Sequence, residues 1–83
     1  MSNLCIACKD KSGERRFLGK TYQGYYCWTK NASYIIRFPD FNAVTKFWTE
    51  IKPRLPEAMM DEIDRKTISA GNIDYKSIIY LKG

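Results

Sequence analysis

The sequence predicts an α+β fold. It is an antiparallel sheet of four to five strands in the order ββββααβ, with one amphipathic helix packed on one face and a short second helix. Three observations predict it. Phe41, Val44, Phe47, Trp48 and Ile51 recur at i, i+3, i+6, i+7 and i+10, the stripe of a 3.6-residue helix. The segments before that stripe alternate in apolar and polar residues and are separated by turn signals, as strands are. A shorter amphipathic stretch and one more alternating run follow it.

Leu4 to Lys9 reads as a first strand with Leu4, Ile6 and Cys8 on one side, and Asp10–Gly13 (DKSG) as the turn after it. Arg15 to Lys20 reads as a short second strand in which Gly19 marks a bulge. Tyr22 to Thr29 reads as a third strand, with Tyr22, Tyr26 and Trp28 sharing one side and Tyr25, Cys27 and Thr29 the other. Tyr34 to Phe38 is β-branched and aromatic and reads as a fourth, with Ile35 and Arg37 placed with Cys27 and Thr29 on a second, partly exposed face. The main helix runs from Asp40 to Ile51. Asp40 suits its N-cap, because a carboxylate accepts from the free amides of a first turn. Pro39 blocks helix upstream, and Pro53 and Pro56 lie past the far end. Glu57 to Lys66 predicts the short second helix, with Met59, Met60 and Ile63 on its narrow apolar side. Ala70–Asn72 reads as a break, and Ile73 to Lys82 as the last strand.

With 83 residues, the chain reads as a single domain, residues 1–83. A chain of this size buries only roughly 60–65% of its unfolded surface, so a second copy or a partner would add stability. No apolar run approaches the roughly 20 residues that span a bilayer, so no membrane partner is expected. The N-terminus lacks the basic-then-apolar pattern of an export signal. Three cysteines, an odd count, then read as reduced thiols in the cytoplasm.

Charge is the informative part of the composition. Residues 1–39 carry Lys9, Lys11, Arg15, Arg16, Lys20, Lys30 and Arg37 against Asp10 and Glu14, a net of +5. Residues 40–83 carry seven basic and seven acidic residues and are neutral. Such asymmetry points to a polyanionic partner, with a solubilising surface as the plainer alternative.

The stretch RRFLGKTYQGYYCWTK interleaves Arg15, Arg16, Lys20 and Lys30 with five aromatic rings. Single-stranded nucleic acid needs both kinds of group, cations for its phosphates and flat rings for its splayed bases. Alternation sends Tyr22, Tyr26 and Trp28 inward, which leaves Tyr25, with Tyr22 as a further candidate, as the ring on the surface. The candidate nucleic-acid-binding residues are therefore Arg15, Arg16, Lys20, Tyr25, Lys30 and Arg37.

The segment YIIRFPDFNAVTKFWTEI carries a strand through a short turn into an aromatic-rich helix. With the strands before it, this order resembles the ββββα unit of PUR-type and Whirly-type single-stranded nucleic-acid-binding proteins. That resemblance implies a curved sheet with helices on one side and bases on the other. It also implies assembly from two copies of the unit, hence a homodimer for this chain. The acidic second helix and the last strand fall outside the pattern. In general style the chain is also similar to small accessory proteins of large tailed phages that disarm host enzymes or toxin systems, which would place it in a host cytoplasm.

Other chemistry is poorly represented. Cys5 and Cys8 form a CxxC with Cys8 as a small packing residue and Cys5 as a partly exposed thiol, but a structural zinc wants four ligands. Cys27 is a third, and the chain has no histidine, so neither a metal nor a cofactor is expected. Glu57, Asp61, Glu62 and Asp64 read as a solvated helix face. Ser12, Ser33, Ser69 and Ser77 lack a histidine base, so triad chemistry is excluded in its usual form. The function expected is non-enzymatic binding of RNA or single-stranded DNA by a small regulatory homodimer. A protein-binding inhibitor of a host or toxin enzyme, with RNA as a bridge in one version, is the alternative, and a structural or assembly protein the second alternative.

Overall fold

The computed structural model describes residues 4–73 and 78–81. Its strands are β1 (Leu4–Asp10), β2 (Arg15–Lys20), β3 (Tyr26–Thr29), β4 (Ile63–Asn72) and β5 (Ile78–Tyr80). Its helices are α1 (Phe41–Ile51), which runs on into a turn of 3-10 helix at Lys52–Arg54, and the single turn α2 (Glu57–Met60). The class is α+β, as the sequence predicts. The five strands form one antiparallel sheet in the order β3-β2-β1-β4-β5.

β1 lies at the centre, and its residues Leu4 to Cys8 are buried on both faces. Leu4, Ile6 and Cys8 join Leu18 and Trp28 in one apolar cluster. Val44 and Trp48 of α1 close that cluster from above, with Leu55, Met59 and Met60 beside them. Both helices therefore add to the same side of the sheet. Asp40 caps α1 as its sequence position suggests, accepting from the Ala43 amide at 2.8 Å. The Trp28 indole N–H donates to the Met59 carbonyl at 3.1 Å, which ties β3 to α2 and satisfies the ring's one polar atom.

Four elements differ from the sequence reading. The segment 34–38 is not a strand. β1 and β2 pair only from Ala7↔Phe17 to Lys9↔Arg15 and then splay apart. The segment fills the gap: Lys20 donates to the Tyr34 carbonyl and Ile36 to that of Leu18, and Leu4 and Phe38 exchange two bonds. It is a wedge between two strands, cut short by Pro39.

The second difference is β4. Residues expected to continue the second helix and then break the chain form the longest strand, next to the central one. Its register to β1 jumps from Ala7↔Ser69 to Lys9↔Asp64, so five steps of β4 oppose two of β1. The extra residues form a bulge. Thr67 closes it, accepting from the Lys9 amide at 2.8 Å and donating to the Asp64 carbonyl at 2.6 Å.

The third is the β2–β3 connection. Residues 22–25, expected as the start of the third strand, form a turn with Thr21: Thr21 donates to the Tyr25 carbonyl and Gly24 to that of Thr21. Gly24 sits at φ +93°, a conformation open to glycine. The fourth is the last strand, of which Ile78–Tyr80 is seen pairing with β4. Residues 74–77 and 82 of the predicted run lie outside the described residues.

Gly19, expected as a bulge, serves a close approach instead. A Cβ there would stand 2.7 Å from both the Tyr34 carbonyl oxygen and the Thr29 methyl.

Candidate functional site

Alternation along β2 decides where the cations go. Arg15 pairs across the ladder with Lys9, and Phe17 with Ala7. These residues face away from the helices, as do Cys5, Gly19 and Ser69 by the same register. Arg16, Leu18 and Lys20 face the helix side.

The floor of the face away from the helices is built largely from small residues, with Phe17 and Ile35 as its large side chains. Cys5 is 1% exposed and Ala7 fully buried, and Ser69 and Gly71 of the neighbouring strand are buried beside them. Arg15 and Arg37 stand close to this floor. Burial raises the Cys5 thiol above its ordinary value, and the Arg37 and Arg15 charges both draw it back down. Two guanidinium groups thus share one small-residue surface, one from β2 and one from the wedge. Lys9 extends the surface toward one end of the sheet. Lys9 and Arg37 form no ion pair among the described residues.

The other expected site residues part from this surface. Arg16 points to the helix side, where its Nε donates to Asp10 at 3.0 Å. Lys30 is ion-paired with Glu14. Lys20 lies over the Tyr26 ring, 5.2 Å from its centre. Tyr25 is exposed, on the β2–β3 turn rather than on a strand. The six residues therefore do not form one patch: Arg15 and Arg37 share the face away from the helices, Lys20 and Tyr25 occupy the hairpin end, and Arg16 and Lys30 are matched with Asp10 and Glu14.

That turn is organised by Asp10. Its carboxylate accepts from the Ser12 hydroxyl at 2.7 Å, the Ser12 and Glu14 amides at 2.9 and 3.0 Å, and Arg16. The Ser12 hydroxyl first, then the Glu14 amide and Arg16, pull its carboxyl from 3.8 down to about 2. A shallow cavity of about 340 Å³ beside it is lined by Asp10, Arg16, Trp28, Glu62 and Ile63 among others. With each oxygen of Asp10 already engaged, this carboxylate anchors a turn.

The cysteines do not converge. Cys5 and Cys8 lie on opposite faces of β1, so their side chains cannot meet on one metal ion. Cys5, expected to be partly exposed, is buried, and its thiol lies 3.7 Å from the Gly71 carbonyl. Burial, with Asp10 nearby, pushes Cys8 up to about 12, so it stays a thiol. Among the described residues, no group of three or more cysteine or carboxylate side chains could hold a metal. Glu57 and Asp61 share Arg65, at 2.7 and 3.4 Å.

Tyr22 joins Tyr25 on the surface. Alternation alone would turn it inward, yet it is 82% exposed on the hairpin tip, in a T-shaped contact with Tyr34 at 5.1 Å. The signal was present: Gly24 between Tyr22 and Tyr26 is a turn residue, and the strand period does not extend through it.

No helix among the described residues is long and apolar enough to cross a membrane. No family model matches the chain, and no curated protein or solved structure is significantly similar to it.

Proposed function

We propose that the protein is a non-enzymatic nucleic-acid-binding module that holds phosphates on the sheet face opposite its helices. One observation carries this reading: Arg15 and Arg37 come from separate segments to the same small-residue floor. Guanidinium groups there can take phosphate oxygens two at a time, and small residues beneath let a backbone come close. The acid-free run from Arg15 to Pro39 keeps the surrounding potential positive.

The test is a binding titration against salt with a single-stranded oligonucleotide. Affinity should fall steeply as salt rises, with a slope of about −0.7 per phosphate contacted. Arg15→Ala with Arg37→Ala should flatten that slope by one to two contacts. Arg16→Ala with Lys30→Ala should leave it nearly unchanged, since those cations already face Asp10 and Glu14. An unchanged slope in the first pair would remove the surface from consideration. Absence of any affinity at low salt would favour the protein-binding alternative.

Assembly as a homodimer belongs to the same proposal. β3 and β5 are the two outer strands of the sheet, and either edge offers unpaired backbone groups to a second copy. Sedimentation at micromolar concentration should report twice the 9.7 kDa chain mass, and a single-chain mass would overturn this part.

A further inference from the structure

We infer that the β2–β3 hairpin tip is a stacking platform for unpaired nucleobases, with Tyr22 and Tyr25 as its rings. The inference rests on the phosphate-binding reading above and adds what that reading leaves open, the strandedness of the ligand. Tyr22 is 82% and Tyr25 71% exposed, while Tyr26, Trp28, Phe38 and Phe47 are committed to the core cluster or packed against it. Two large rings in water contribute nothing to burial, and here they sit on a tip that is held in place. Thr21 and Tyr25 are joined by a backbone bond and by the Thr21 hydroxyl accepting from the Tyr25 amide at 3.2 Å. Tyr34 meets the Tyr22 ring in a T-shaped contact, centroids 5.1 Å apart, which still leaves Tyr22 82% exposed.

Charge complementarity selects the occupant. The tip lies within the acid-free run, next to Lys20, which forms no ion pair among the described residues. A cationic, aromatic tip suits a ligand that is both anionic and flat. The wedge links the tip to the phosphate surface: Tyr34 begins it under Tyr22, and Arg37 lies three residues on. A strand whose phosphates rest on Arg37 can reach the tip with its bases. Duplex bases are already stacked on their neighbours and have no open face, so the ligand is single-stranded.

The experiment uses the full chain and fluorescence anisotropy at low salt. The probes are an oligothymidylate of about twelve nucleotides, its abasic counterpart of equal length, and a duplex; the length falls within known single-strand site sizes. An oligouridylate arm separates RNA from DNA as the source of the bases. The wild-type chain should bind a base-bearing strand, DNA or RNA, at least about tenfold more tightly than the abasic one. Tyr22→Leu with Tyr25→Leu should abolish that preference and keep the salt slope. Tyr22→Phe with Tyr25→Phe should retain it, because the ring and not the hydroxyl does the stacking. Circular dichroism checks that each variant folds, which the exposure of both positions favours. Equal binding of base-bearing and abasic strands would overturn the inference while leaving the phosphate reading in place. So would a preference that survives the leucine pair. Absence of binding to every probe would overturn both.

Discussion

Phe17 and Leu18 are neighbours in β2, yet their surroundings differ. Leu18 is fully buried against Trp28, Val44 and the other large residues of the helix-side cluster. Phe17, facing the other way, is half-buried beside Ala7. The contrast holds for the whole sheet. On the helix side a second layer brings volume, and burial comes from large side chains packed on large side chains. On the opposite side burial comes largely from smallness, with Cys5, Ala7, Gly19, Ser69 and Gly71 sunk in the sheet and Ile35 buried opposite Gly19. The difference teaches a division of labour: one face carries stability and the other is free to carry cations.

The largest effect expected from that division is on the helix side. Leu18→Ala should lower the unfolding free energy by about 2–5 kcal/mol, read from urea denaturation, since it opens a void in a fully packed layer. Arg37→Ala on the other face should stay within about 0.5 kcal/mol while weakening nucleic-acid affinity. Equal stability losses at the two positions would erase the contrast.

Gly19→Ala sharpens the comparison where the two faces meet. The added methyl would fall on the Tyr34 carbonyl and the Thr29 methyl, both at 2.7 Å, and would press the wedge out of the splayed strands. A loss of about 1–3 kcal/mol is expected in thermal or urea melts, as for other overpacked sites. A neutral result would mean that the wedge is loosely held. Asp40→Ala tests the start of the covering layer, with an expected loss of about 0.5–2 kcal/mol from the lost cap.

The smallest effect concerns Asp10, at the end of the sheet. Its native carboxyl ionises near 2 against an ordinary 3.8, so it stabilises the fold when ionised. That contribution is complete above the unfolded value and fades as pH falls through 3.8 toward 2. Asp10→Asn should therefore melt below the wild type at neutral pH, and the two curves should converge in strong acid. A gap at pH 2 as large as at neutral pH would mean that the side chain acts by shape and not by charge.

How legible these features were depends on whether one signal or several agreed. α1 was readable because the apolar stripe, the Asp40 cap and the flanking prolines mark the same boundaries. The second face was also readable, since Cys27, Thr29, Ile35 and Arg37 obey simple alternation. β4 was hidden by its bulge. Ile63 and Ile68 both reach the core, yet an odd spacing separates them, which no unbroken strand produces. The acids and methionines just before it mimic a helix over the same residues. At the site, sequence proximity counted cations without their partners. Arg16 and Lys30 belong to Asp10 and Glu14 because the β1–β2 turn folds those carboxylates back onto the strands. Arg15 and Arg37, 22 positions apart, share one face of the sheet only because the wedge lies where two strands part.

The most direct test of a cationic face opposite the helices is to map backbone amide shifts while a single-stranded oligonucleotide is titrated into labelled protein. The shifts should concentrate at Cys5, Ala7, Arg15, Phe17 and Arg37, with the tip residues Tyr22 and Tyr25, and spare the solvent side of α1. Shifts centred on α1 or on the Glu57–Asp61 turn, with Arg15 and Arg37 silent, would contradict it.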